Sequence, residues 1–244
     1  MMRRYCALCC ALMLAATGCS KKPDEAPAEN KLEAAPTDVS ARLASGPHAS
    51  AKSYCEASGL AECEPDLVNA RQVDVDSIGE TVATAAVIAR TEDGASWQRI
   101  ALIGKPGNLY EVGVAQTWRE EEGAEPYTTL SLANTEFAPE GFFIAESVAG
   151  IERPAEGDDK RYDFTRTAHV CAFVSEGLAC AEFVTEAGFS FAESSDGQIA
   201  AMVLQAKEGS AEPVITATEV LRDKPAGVDL DMLVKEGTYR IVLP

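Results

Sequence analysis

His169-Val170-Cys171-Ala172-Phe173-Val174-Ser175-Glu176-Gly177-Leu178-Ala179-Cys180-Ala181-Glu182-Phe183 is the stretch that decides how this chain folds. Two largely apolar runs, 169–173 and 178–183, flank Val174-Ser175-Glu176-Gly177. A four-residue loop ending in glycine suits a β-hairpin. With Phe173 opposite Leu178, antiparallel pairing sets Cys171 directly opposite Cys180, on the same face. A cross-strand disulfide then needs little backbone movement. One segment thus predicts a strand pair, its register and a covalent crosslink.

Outward from the hairpin, short apolar runs alternate with turn residues every 8–14 positions. On the N-terminal side, strands are expected at 81–89, 97–103, 109–118, 127–132 and 142–148. Thr91-Glu92-Asp93-Gly94, Lys105-Pro106-Gly107-Asn108 and Pro139-Glu140-Gly141 separate several of them. Residues 151–163 read as a charged loop. On the C-terminal side, 189–191, 199–205, 214–220 and 239–243 read as strands, and 228–234 as one helical turn or two. The period-2 pattern and the regular turns predict a mainly β fold, an antiparallel β-sandwich or barrel with a short helical or loop-like N-terminal lead-in. A small β-propeller is the alternative. Residues 54–244 are expected to form this single β-rich domain, with the lead-in over 54–69.

The N-terminus has a different composition. Arg3 and Arg4 precede twelve uncharged residues, 5–16, and small residues lead to Cys19. A charged start, a short apolar run and a small-residue cleavage site make a secretory signal peptide, residues 1–18. The apolar run is too short for a membrane-spanning helix, which takes about 20 residues. Ala16-Thr17-Gly18-Cys19 resembles the lipobox of bacterial lipoproteins. The resemblance covers residues 1–20 and implies that Cys19 carries diacylglycerol and becomes the acylated first residue of the mature chain. Two or more acyl chains hold a protein stably at a bilayer where one does not. Ser20, in place of aspartate at the second mature position, implies the outer membrane if the host is Gram-negative. Residues 19–53 read as a lipidated flexible tether: four prolines, no aromatic residue before Tyr54, and much alanine, lysine and glutamate. His48 is expected to be solvated there.

Removing the first 18 of 244 residues leaves 226, with 19 basic against 39 acidic residues, a charge of about −20. Such a surface repels phosphate backbones, and no basic patch exists to release counterions, so nucleic acid is excluded as a partner. Of eight cysteines, three leave with the signal and Cys19 is lipidated. Cys55, Cys63, Cys171 and Cys180 remain, and an even number in an exported chain reads as two disulfides. Three connectivities are open; the hairpin register favours local pairing, Cys55–Cys63 and Cys171–Cys180. A four-cysteine zinc site would want shorter C-x2-4-C spacing, and no C-x-x-C remains for redox chemistry.

No catalytic, cofactor or metal site is legible. There is no H-E-x-x-H, phosphate-binding loop, dinucleotide fingerprint or G-x-S-x-G elbow. His169 is the only histidine outside the tether and reads as a half-exposed strand residue. Asp74, Asp76, Gly79 and Glu80 superficially resemble a calcium loop, but Ile78 and Ala85 occupy positions that need ligands. They read as a turn before a strand. Glu120-Glu121-Glu122 and the Asp158, Asp159, Asp163 group read as solvated loops. Trp97 and Trp118, on alternating strands, read as core residues.

The expected function is that of a non-catalytic cell-envelope lipoprotein. The membrane is its partner through the lipid, and the β domain binds an envelope protein or glycan through its loops. A lipid-anchored hydrolase using paired carboxylates and a calcium-binding module are the alternatives.

Overall fold

The hairpin around Ser175 grows into two fifteen-residue strands, Lys160–Val174 and Gly177–Phe191, which pair along their whole length with Phe173 opposite Leu178 and Cys171 opposite Cys180, as the sequence predicts. A computed structural model describes residues 35–91, 96–119, 125–132, 138–155, 159–192, 197–207, 210, 212–225 and 227–244. In chain order its strands are β1 (Thr37–Ser40), β2 (Arg42–Leu43), β3 (Ser45–His48), β4 (Glu64–Val75), β5 (Glu80–Arg90), β6 (Ser96–Lys105) and β7 (Asn108–Arg119). Then come β8 (Glu125–Leu132), β9 (Phe143–Pro154), β10 (Lys160–Val174), β11 (Gly177–Phe191), β12 (Gln198–Ala206), β13 (Val214–Arg222) and β14 (Gly237–Val242). One helix, α1 (Ala51–Ser58), precedes β4.

The strands form two sheets. The larger runs β1-β14-β13-β12-β11-β10-β9-β8, with β2 paired to β11; the smaller runs β3-β7-β6-β5-β4. All pairings are antiparallel except β1 with β14. The sheets pack as a sandwich, and the barrel is not closed.

Alternation along the strands explains the layers. Phe143, Ala145, Cys171, Leu178 and Cys180 of the larger sheet meet Val82, Ala101, Ile103 and Val112 of the smaller one. Their neighbours in sequence, including Ile144, Val170, Ala179 and Ala181, point to the opposite face. There they pack with Met202, Leu204, Ile215 and Ile241. The smaller sheet also buries both faces: Ala83, Ala85, Val87, Ile100 and Leu102 pack against Tyr54 of α1. This is why residues 81–89 show a nearly continuous apolar run rather than alternation. Helix α1 begins at a capping box between Ser50 and Ser53 and ends at Gly59, whose φ of 67° takes the left-handed conformation.

Several expectations are corrected. The tether does not extend to Ser53. Thr37 to Ser40 pairs with β14, Arg42 and Leu43 pair with β11, and Ser45 and His48 pair with β7. The short strands were invisible because each is only two to four residues long and is stabilised by a partner far away in sequence. His48 is not solvated by default: its ring packs edge-on to Tyr54 at 4.9 Å. The lead-in is less loop-like than expected, since β4 begins at Glu64. Residues 189–191 are not a separate strand but the end of β11, carried past a bulge opposite Arg166 and Thr167. Strand residues also occupy 151–154 and 160–163, which read as loop. Residues 228–234 hold one short 3-10 turn, Leu230–Met232. Trp97 is half-buried at a strand end, beneath the Arg90 guanidinium at 3.9 Å from its ring, and outside the core clusters. Cys19, the signal peptide, Glu120-Glu121-Glu122 and Asp158 lie outside the described residues, as does the Trp118 side chain.

Candidate functional site

Both expected disulfides are present. Cys55–Cys63 fastens the last turn of α1 to the start of β4, and Cys171–Cys180 crosslinks β10 to β11 between the two sheets. The second pair organises its surroundings. Two residues before Cys171 comes His169, and two after Cys180 comes Glu182; they stand directly opposite each other on the same inner face. On the other side of β10, β9 places Ser147 two residues along from Ala145, which faces His169, and so on the same face. Three adjacent strands thereby set Ser147, His169 and Glu182 in a row.

His169 is not the half-exposed residue the sequence suggested. It is 5% exposed, and Ser147 is 4% exposed. Ser147 Oγ lies 3.0 Å from His169 Nε2. On the far side of the ring, Nδ1 faces Glu182 Oε1 at 3.6 Å, long for a hydrogen bond, and has no hydrogen-bond partner among the described residues. An ionised carboxylate only accepts, and a neutral imidazole carries one N–H. The tautomer that suits both neighbours has its proton on Nδ1, aimed at Glu182, while Ser147 donates its hydroxyl to Nε2. His169 holds the Glu182 carboxyl below its usual range, with Arg42 adding to the effect against the opposing cost of burial.

Glu182 opens onto a cleft of about 470 Å³ between the sheets. Its wall includes Arg42 and Leu43 of β2, Ser45 of β3, and Glu111 and Val112 of β7. Cys180 lines it too, so the disulfide forms part of the floor. The cleft exists because β2 is only two residues long: it covers β11 at Ala179 and Cys180 and stops before Glu182. Opposite Glu182, β7 carries Gly113, at φ 136°. A Cβ there would come within 3.2 Å of Glu182 Oε1, so glycine lets the carboxylate lie against the strand. The second carboxylate, Glu111, accepts a 3.0 Å hydrogen bond from the Tyr54 hydroxyl, whose side chain is buried beneath α1. Burial and the adjacent Glu111 carboxylate push the Tyr54 hydroxyl pKa well up, so it stays a donor.

The Ser147-His169-Glu182 order is that of a serine-hydrolase array, yet the access runs the wrong way. A nucleophile must meet substrate, with the histidine and carboxylate behind it. Here the carboxylate lines the cleft and the serine is at the buried end. The row therefore positions Glu182. Glu182 is also held ionised, which suits an acceptor and opposes the raised pKa of a glycosidase general acid.

The remaining sequence candidates resolve into structure. Asp76 to Gly79 makes the β4–β5 turn, Asp74 accepts a 2.6 Å hydrogen bond from Thr81, and Glu80 pairs with Lys105. Asp163 is no solvated loop residue: it accepts from Arg153 and Arg161 at 2.7 Å each. Among the described residues no group of three or more His, Cys, Asp or Glu is placed to hold a metal ion. Glu182 was within reach of sequence reasoning, because the register that pairs the cysteines also pairs it with His169. Ser147, Arg42, Glu111 and Tyr54 carried no such signal. No protein-family model, curated protein or solved structure matches this chain.

Proposed function

We propose that this chain is an exported lipoprotein of the cell envelope, anchored through Cys19, whose β domain is a non-catalytic binding module for an envelope component. The lipobox-like Ala16-Thr17-Gly18-Cys19 supports the anchor. Two disulfides fit an oxidising compartment outside the cytoplasm. In a Gram-negative host the serine after Cys19 favours the outer membrane. The observation that carries the binding role is the cleft, where Glu111 and Glu182 are each held from behind by a buried polar side chain. A merely solvated carboxylate has no use for such support. Eighteen positions separate Cys19 from Thr37, where β1 begins, so the domain stays within about 60 Å of the anchor.

A lipid-anchored hydrolase using paired carboxylates is the second reading, favoured by one observation: Glu111 and Glu182 line the same cleft. The depressed pKa of Glu182 weighs against it.

Two measurements test the proposal. Mass spectrometry of protein isolated from membranes is expected to show Cys19 as the acylated first residue, and Cys19→Ser to move the protein to the soluble fraction. An intact Met1, or membrane association unchanged by Cys19→Ser, overturns the anchor. A photocrosslinker at Leu43, in the cleft, is expected to label an envelope component that one at Glu140 does not. Equal labelling from both positions removes the cleft from the reading.

A further inference from the structure

We propose that the cleft between β2, β7 and β11 takes a small organic cation: a primary ammonium or guanidinium group on a short aliphatic stem. This rests on the binding-module reading and names its ligand class. The site is mixed in charge. Glu111 and Glu182, from different sheets, outnumber Arg42 and leave the cleft with one net negative charge. An anion would face two carboxylates, whereas a cation bridging them gains two charge-assisted hydrogen bonds. Leu43 and Val112 supply apolar wall for a stem, and about 470 Å³ accommodates a group the size of a basic side chain.

Both acceptors are built in. Tyr54, 5% exposed, donates to one oxygen of Glu111. Gly113 clears the space into which Glu182 leans. The independent mark of a ligand is His169. Its side chain is 6% exposed, and its buried Nδ1 has no hydrogen-bond partner among the described residues; it is aimed at a carboxylate 3.6 Å away that is itself 55% exposed. Buried polar atoms are nearly always satisfied. Glu182 stands between the ring behind it and the cleft in front. A cation fixed between Glu182 and Glu111 holds the carboxylate in one orientation and lets the His169 N–H complete its bond. On the other side, the Ser147 hydroxyl at 3.0 Å from Nε2 is compatible with that tautomer, since it can donate to an unprotonated Nε2. Among the described residues no metal-ligating group of three is present, which favours an organic cation over a metal ion.

The test is calorimetric titration of the full mature chain at low salt with two probes: pentane-1,5-diamine, representing free amines, and Nα-acetyl-lysine methylamide, representing a lysine side chain in a protein. Saturable binding of at least one, at millimolar concentration or below, is expected. Glu182→Gln and Glu111→Gln should each weaken it about tenfold, whereas Glu140→Gln, which removes the same charge elsewhere, should change it less than about twofold. Circular dichroism and the urea midpoint verify that each variant folds. Nitrogen NMR should show the His169 Nδ1 proton shifting downfield on saturation. Diamine binding identifies a free amine as the ligand; binding of the lysine derivative alone identifies a protein partner. No binding of either probe up to about 20 mM, equal weakening by Glu140→Gln, or equal binding of the dianion glutarate overturns the inference. An anchored protein that ignores both probes sinks this inference alone. A protein that binds them but keeps Met1 sinks only the anchor.

Discussion

The two disulfides close rings of nearly equal size, eight and nine residues apart in sequence, yet their removal should not cost the same. On the chain-entropy model each crosslink restricts the unfolded state by about 2.6 kcal/mol. The folded states differ. Cys171 is wholly buried and Cys180 nearly so, both among Val82, Ile103, Phe143 and Leu178 in the core between the sheets. Cys55 and Cys63 are only partly buried, at the edge of the cluster under α1. Truncating each core sulfur to alanine removes contacts equivalent to about one methylene and leaves a void. Transfer and cavity contributions together add roughly 1 kcal/mol per sulfur. Cys171→Ala/Cys180→Ala should therefore lose about 4–5 kcal/mol, against about 3 kcal/mol for Cys55→Ala/Cys63→Ala. Urea unfolding followed by circular dichroism reads the difference, and the m-value should rise in both variants because the unfolded chain expands. Equal losses, or a larger loss at Cys55–Cys63, would refute the argument that the inter-sheet core sets the difference.

Other perturbations probe separate features. Arg99 and Asp66 form an ion pair between β6 and β4, with side chains about one-tenth exposed, and Asp66→Asn removes the carboxylate from that buried pair. A destabilisation of about 3–5 kcal/mol is expected, most of it recovered when Arg99→Met is added; chemical denaturation of the single and double variants decides. A chain starting at Ala35 should fold cooperatively, whereas one starting at Tyr54, lacking β1 to β3, should show a broadened or absent unfolding transition in calorimetry. Thermal stability should also fall in acid. Hydrogen bonds from Arg240 and Lys160 depress the pKa values of Asp38 and Glu152, and the neighbouring His169 imidazole depresses that of Glu182. A depressed carboxyl stabilises the fold above its unfolded pKa and ceases to do so as pH falls through the folded value. The melting temperature should thus hold from neutrality to about pH 5 and drop below about pH 4. Glu182→Gln should flatten part of that drop; an unchanged profile would remove Glu182 from the account.

Local signals were legible wherever partners are close in sequence. The hairpin register, both disulfides and the central parts of the strands from β5 to β14 follow from turn chemistry, from period-2 alternation and from cysteine spacing, all of which act over a dozen residues or fewer. The same register contains half of the site, since it fixes His169 against Glu182. Two of the misreadings have related causes. Residues 37–48 have the composition of a solvated linker because their side chains are largely exposed; what orders them is backbone pairing with β14, β11 and β7. Backbone hydrogen bonds leave little trace in residue type. His169 was misjudged for a related reason: a sheet face is buried only when another sheet covers it, and alternation within one strand does not say which face that is.

Residue order alone thus determined the mainly β class, the hairpin and the crosslinks, because each depends on neighbours or on chemistry read directly from the chain. Tertiary structure alone decided that Arg42, Glu111 and Glu182 share one cleft and that Tyr54, His169 and Ser147 stand behind its carboxylates. Those residues lie up to 140 positions apart, and only two sheets closing face to face, with a two-residue strand stopping short between them, bring them together.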